Sequence, residues 1–158
     1  MQGKAKLRVL GLDLGDRRIG VAVSDPSCKL ALWSDTLFVS GERDAQRRIG
    51  DIVRENGIDR IVVGLPLNLD GSVGFRAVKT QAFAGLLRDK LKVEVLFWDE
   101  RLTTSIAKRT LHDAGRKATK RDGHLDQMSA VLILQGYLDR LATLAASSVG
   151  AVHEPPSE

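Results

Sequence analysis

One stretch limits what this chain can fold into. Leu7 to Asp25 reads LRVLGLDLGDRRIGVAVSD. Apolar residues run through Leu7, Val9, Leu10 and Leu12 and then meet Asp13. Leu14-Gly15-Asp16-Arg17-Arg18 reverses the chain, and a second apolar run, Ile19 to Val23, ends at Ser24-Asp25. Two apolar runs around a short polar break predict a β-hairpin whose first strand is buried. A carboxylate at the end of a buried strand is costly unless it meets a cation, a metal or several donors. Asp13 has two readings: a turn residue bonding its own backbone, or part of a charged site.

The rest of the chain alternates. Leu30 to Val39 predicts a third strand, interrupted near Ser34-Asp35, and Ser40 is placed to cap the next helix. Ala45, Ile49, Ile52 and Val53 recur at helical spacing between Glu42 and Asn56, and Gly57 ends that helix. Ile61-Val62-Val63 is a short buried strand, followed by a loop from Gly64 to Ser72 rich in turn residues. Phe75, Val78, Ala82 and Leu86 mark a second helix that ends before Lys92, and Val93 to Trp98 a fifth strand closing on Asp99-Glu100-Arg101. Thr103 or Thr104 caps a third helix, which Gly115 stops. A last helix spans Leu125 to Leu144. Three antiparallel strands followed by β-α-β crossovers predict an α/β fold with a mixed five-stranded sheet and helices on both faces. Residues 1–144 form a single domain, and the small, polar, proline-containing segment 145–158 is expected to be disordered.

Composition narrows the function classes. With 158 residues the chain needs no disulfide staples, and the single Cys28 excludes an internal disulfide and any cysteine-based zinc cluster. The N-terminus has no signal-peptide pattern, and no apolar run is long enough to span a membrane, which points to the cytoplasm. A net charge of +4 permits a polyanionic partner. Aromatic residues make up only 4%, so recognition by a platform of stacked bases is not expected, and phosphate contacts should dominate.

Three acidic positions carry the chemistry. Asp13 ends strand one, Asp99-Glu100 ends strand five, and Asp126 opens the last helix. If strands one, four and five run parallel, their C-terminal ends share the sheet edge where open α/β sheets bind ligands. Carboxylates gathered there repel one another unless a cation lies between them, and Mg²⁺ or Mn²⁺ suits an all-oxygen site. Each acid also has a bland reading, Asp126 as a first-turn helix residue and Asp99 or Glu100 as the partner of Arg101. Arg116, Lys117, Lys120 and Arg121 precede Asp126 as a candidate phosphate clamp, and Arg17, Arg18, Lys79 and Arg101 extend the same basic surface. Gly64, Pro66, Asp70 and Gly71 form the loop beside the site.

Four blocks, GLDLGDRRIGVAVSD, VVGLPLNLDGS, WDERLTT and HLDQMSAVLILQGYL, resemble the YqgF (RuvX) family over roughly residues 7 to 141. The resemblance implies an RNase H-like fold and a metal-dependent nuclease acting in 5′ maturation of pre-16S rRNA, in the cytoplasm, on RNA and conceivably on ribosomal particles. Members were first described as candidate Holliday junction resolvases, so branched DNA is the alternative substrate. A non-catalytic RNA-binding assembly factor is the other alternative. The family's acids fall on Asp13, Glu100 and Asp126. Phe75 stands where proline is expected and Ser129 where alanine is usual, and neither is expected to touch a catalytic atom. In resolvases of this fold the second acid ends strand four, where this chain has Gly64-Leu65. In a sheet of order 3-2-1-4-5, strands one and five are roughly 9–10 Å apart. Glu100, with its longer side chain, is the better candidate than Asp99 on reach.

Overall fold

The computed structural model describes residues 7–102 and 124–153. The hairpin forms as expected, with β1 (Val9–Leu14) and β2 (Arg18–Ser24) antiparallel and Asp13 opposite Gly20. β3 (Ala31–Phe38) pairs antiparallel with β2 as an edge strand. It runs unbroken through Ser34-Asp35, against expectation. Those polar residues are tolerated because Ser34 accepts hydrogen bonds from the Gln127 amide, through Oγ at 2.8 Å and its carbonyl at 3.4 Å. β4 (Arg60–Leu65) lies parallel to β1, and β5 (Glu94–Asp99) parallel to β4, which completes the order 3-2-1-4-5.

α1 (Glu42–Asn56) and α2 (Phe75–Leu91) end where the sequence places them, with Gly57 and Lys92 in left-handed conformations. The cap of α1 is a correction. Gly41, not Ser40, is the capping residue, and it makes no side-chain bond. Ser40 instead donates its backbone N–H to Asp44 Oδ2 at 2.9 Å, so the first-turn acid reaches back to the residue before the cap. A single 3₁₀ turn, Glu100–Leu102, follows β5. α3 runs from His124 to His153, past the Leu144 end expected for it. The predicted helix after Thr104 and the basic stretch 116–121 lie outside the described residues.

Alternation along β1 divides the core. Leu10 and Leu12 face α1 and α2, where Ile49, Val53, Phe83, Ala84 and Leu87 complete one cluster. Val9 faces α3 and joins Ala22, Val62, Ala130, Leu134 and Leu138 in a second. The α3 face has almost no thickness. A Cβ at Gly11 would stand 2.8 Å from Leu134 Cβ, and one at Gly20 only 1.9 Å from the Asp126 carbonyl oxygen. The helix backbone therefore rests on bare strand backbone. Among the described residues no helix is long and apolar enough to cross a membrane.

Gly20→Ala tests this contact. Because the obstacle is backbone and not a flexible side-chain tip, the cost should reach or exceed the upper end of ordinary overpacking, about 3 kcal/mol. Gly41→Ala meets nothing within 4 Å and should change stability by less than about 1 kcal/mol. Urea unfolding of the two variants beside wild type measures both.

Candidate active site at the carboxyl edge of the sheet

Asp13 is not a turn residue. It sits within the β1–β2 ladder, opposite Gly20. The contrast is Asp25, at the end of β2. It accepts backbone N–H groups from Lys29 at 2.8 Å and Leu30 at 2.9 Å, and these hold its carboxyl well below the usual range. Asp13 behaves oppositely. Burial, then the negative charges of Glu100 and Asp126, push its carboxyl up to about 7, against the pull of Arg76 and a hydrogen bond from Ser129. Two of the acids predicted from sequence, Glu100 and Asp126, thus act on the third.

Glu100 reaches the site by a route the sequence leaves open. A Cβ added to Gly64, at the end of β4, would stand 2.9 Å from Glu100 Oε2 and 2.4 Å from Ile133 Cδ1. The absence of a side chain at 64 leaves room for the Glu100 carboxylate over β4, one strand closer to Asp13 than its own strand. Burial raises the Glu100 carboxyl, Arg76 opposes that shift, and Asp99 adds to it.

Asp99 has a different task. It holds Arg101 through the backbone N–H at 2.9 Å, Nε at 3.1 Å and Nη2 at 2.7 Å. Arg101 Nη1 continues to the Leu69 carbonyl at 3.1 Å. This clasp ties the end of β5 to the loop after β4. Within the loop, Asp70 Oδ1 accepts from Ser72 N at 2.9 Å and from Ser72 Oγ at 2.6 Å, and Gly71 takes φ 90° beside the Arg101 guanidinium. Asp70 and Gly71 shape the loop; their bonds do not involve the three acids.

Asp126, in the first turn of α3, lies 3.5 Å from Arg18 Nε. Lys79 Nζ is 2.7 Å from Asp16 in the hairpin turn. Of the residues expected on a basic surface for nucleic acid, Arg18, Lys79 and Arg101 are each paired with an acid, and Arg17 is exposed in the turn. Arg116, Lys117, Lys120 and Arg121 fall outside the described residues. Among the described residues, no three His, Cys, Asp or Glu side chains are grouped closely enough to hold one ion.

Two residues went unrecognised in the sequence. Ser129 hydrogen-bonds Asp13, contrary to the expectation that it touches no candidate catalytic atom. Its signal was its spacing, three residues after Asp126 and so on the same helix face. Arg76 acts on Asp13, Glu100 and Asp16 together. Its signal was its place in the first turn of α2, which starts at the same sheet edge. Around the hairpin turn from the acids, a cleft of about 270 Å³ opens between the N-termini of α1 and α2. Leu14, Ile19, Ala45, Thr80 and Phe83 line it, and Phe75, Arg76 and Lys79 line it as well.

A family model described as RuvX, Holliday junction resolvase, matches residues 7–140. A relative from Pelotomaculum thermopropionicum, named "Putative pre-16S rRNA nuclease", is 47% identical over 84% of this chain and 87% of its own length. A relative of the same name from Acetivibrio thermocellus is 46% identical over 84% of this chain and 96% of its own. Among solved structures, T. thermophilus RuvC in complex with a Holliday junction substrate superposes with a TM-score of 0.56 at 14% identity, covering 87% of this chain and 97% of that one. The fowlpox virus Holliday junction resolvase gives 0.53 at 15% identity, over 85% of this chain and 99% of that one. The fold is RNase H-like, as the motifs implied.

The raised carboxyl of Asp13 predicts a pH signature of the metal-free protein. In the unfolded chain this group titrates near 3.8 and in the fold near 7. The native state therefore binds the extra proton between those values, and stability from this group is lost as pH rises through them. Full ionisation costs on the order of 4 kcal/mol. In EDTA, Asp13→Asn should match wild type near pH 4. It should become progressively more stable than wild type as pH rises, with the gap level above about pH 8. Denaturant titrations across pH, compared between the two proteins, read this gap without the contributions of the other acids.

Proposed function

The chain belongs to the RuvX family, and from that premise we propose that it is a divalent-metal-dependent endonuclease that hydrolyses phosphodiester bonds of structured RNA, in 5′-end maturation of pre-16S rRNA. The observation that supports this reading is the carboxyl of Asp13 at the sheet edge, held near 7 by burial and by the charges of Glu100 and Asp126. Mutually repelling, partly desolvated carboxylates are a donor set suited to a hard divalent cation. The relatives' names favour an RNA substrate.

Asp13 and Glu100 are the oxygen donors that would hold Mg²⁺ or Mn²⁺, and Asp126, which is paired with Arg18 and not grouped with them closely enough to share one ion, would have to leave that pair to join. When bound, such an ion polarises a phosphoryl oxygen and lowers the pKa of water. The chain's own residues do the rest. Ser129, facing Asp13 from α3, favours the ionised form of its carboxyl. Asp99 and Arg101 clasp the turn that carries Glu100. Arg76 supplies positive charge beside the acids, where a phosphodiester would otherwise be repelled.

A second reading, resolution of four-way DNA junctions, is favoured by the description of the family model. It requires a two-fold dimer that presents paired sites. Cleavage of precursor rRNA, a four-way DNA junction and single-stranded controls, with Mg²⁺ or Mn²⁺, separates the two. We expect cut precursor rRNA. A protein that cuts only the junction sinks the RNA reading.

Asp13→Asn, Glu100→Gln and Asp126→Asn should each lower the cleavage rate by at least about a hundredfold, as loss of a metal-holding or charge-stabilising group does. Asp99→Asn should cost less, because that residue acts on Arg101 and the loop. Normally folded Asp13→Asn and Asp126→Asn variants that cut as fast as wild type would sink the nuclease reading. Calorimetry showing no Mg²⁺ or Mn²⁺ binding, with or without RNA, would favour a non-catalytic RNA-binding role.

A further inference from the structure

The cleft on the far side of the hairpin turn is lined by none of the three acids. Its walls are an apolar floor of Leu14, Ile19, Ala45 and Phe83, the turn residues Gly15 and Asp16, and the first turns of α1 and α2. At about 270 Å³ it is near the lower end of small-molecule sites. On its rim stands Phe75, 82% exposed. An aromatic ring that far out of the core contributes little to folding, and this chain has few aromatics to spare. Phe75 is followed directly by Arg76, whose charge acts on Asp13, Glu100 and Asp16. The same cation serves the cleft and the acidic site.

We propose that this cleft is a nucleotide subsite, which takes an unpaired base next to the scissile phosphate, with the base stacked on Phe75 and its phosphate on Arg76. The proposal rests on the nuclease reading and specifies its substrate further. Asp13 and Leu14 are consecutive strand residues, so they point to opposite faces of the sheet. Leu14 lines the cleft, while Asp13 interacts with Ser129 of α3 on the other side. A strand whose phosphate lies over Asp13 passes the sheet edge at the Gly15-Asp16 turn, and its next nucleotide arrives at Phe75.

The lining is balanced in charge, Asp16 and Glu42 against Arg76 and Lys79, and it is the separation of these charges that favours a nucleotide over an apolar protein segment. Arg76 and Lys79 are both on the wall, and the first turn of α2 carries no acid and no side-chain cap to offset its positive end. Asp16 and Glu42 make the opposite wall acidic, though Lys79 neutralises Asp16 at 2.7 Å. The phosphate is thereby confined to the Arg76 side and the uncharged base to the apolar floor. A base held in a duplex cannot leave its stack without cost, so the subsite selects unpaired nucleotides.

The test uses the full chain and four synthetic probes, in RNA and in DNA: a blunt duplex, and the same duplex with a single-stranded extension that carries 2-aminopurine next to the junction. Binding is followed by anisotropy, and stacking by 2-aminopurine fluorescence, with Ca²⁺ in place of Mg²⁺. Phe75→Ala should weaken binding of the extended probes about tenfold, as loss of one base–aromatic stack does. It should leave the blunt duplexes within about twofold and abolish the 2-aminopurine quench, and Phe75→Trp should restore both signals. A loss seen in only one sugar series assigns the subsite to that nucleic acid. Equal losses on blunt and extended probes, or an unchanged quench, overturn the subsite. If wild type binds and cleaves RNA while Phe75→Ala behaves as wild type, only the subsite falls. If wild type binds none of the four probes, the nuclease reading falls with it.

Discussion

The contact between α3 and the bare backbone of the sheet determines where everything else stands. Gly11 and Gly20 let the helix approach until the Asp126 carbonyl lies 1.9 Å from where a Gly20 Cβ would be. No side chain of ordinary size fits that gap, so helix position is set by backbone, the stiffest material available. Asp126 and Ser129 ride on that helix and Asp13 on the strand beneath it. Close packing that fixes a core here fixes a group of carboxylates.

Asp13 opposes the fold that holds it. Burial and the charges of Glu100 and Asp126 raise its proton affinity, and the surrounding cations divide the task of balancing the acids. Arg18 pairs with Asp126, Arg76 lies in reach of Asp13 and Glu100, and Arg101 is committed to Asp99. A buried carboxyl whose ionisation costs stability is the arrangement expected where function, not stability, selected the residue.

Much of this was legible in the sequence, for identifiable reasons. The hairpin, both crossovers and the ends of α1 and α2 follow from apolar periodicity and from Gly57, and the strand order follows from handedness and short connections. The acids were legible because a carboxylate is conspicuous at the end of an apolar run. Ser129 and Arg76 were not, because a serine on a helix and an arginine in a first turn look solvated until the facing strand is known. The cap at Gly41 was misread because a serine one residue earlier looks like the better cap, while Asp44 already bonds its N–H. The length of α3 was underestimated because small polar residues after Leu144 signal loop in composition, yet do not prevent an established helix from running on.

The glycine at 64 has a consequence beyond making room. An acid carried inside a strand is tied to sheet register: a one-residue slip turns it to the other face. Glu100 is carried on a 3₁₀ turn after the strand, anchored by Asp99 and Arg101 to a surface loop. Insertions or substitutions in that turn and loop can shift the acid by fractions of an ångström while every ladder bond of β4 and β5 stays in place. One member of the site is thus adjustable separately from the scaffold, and natural variation in its position should accumulate in the loop rather than in the sheet.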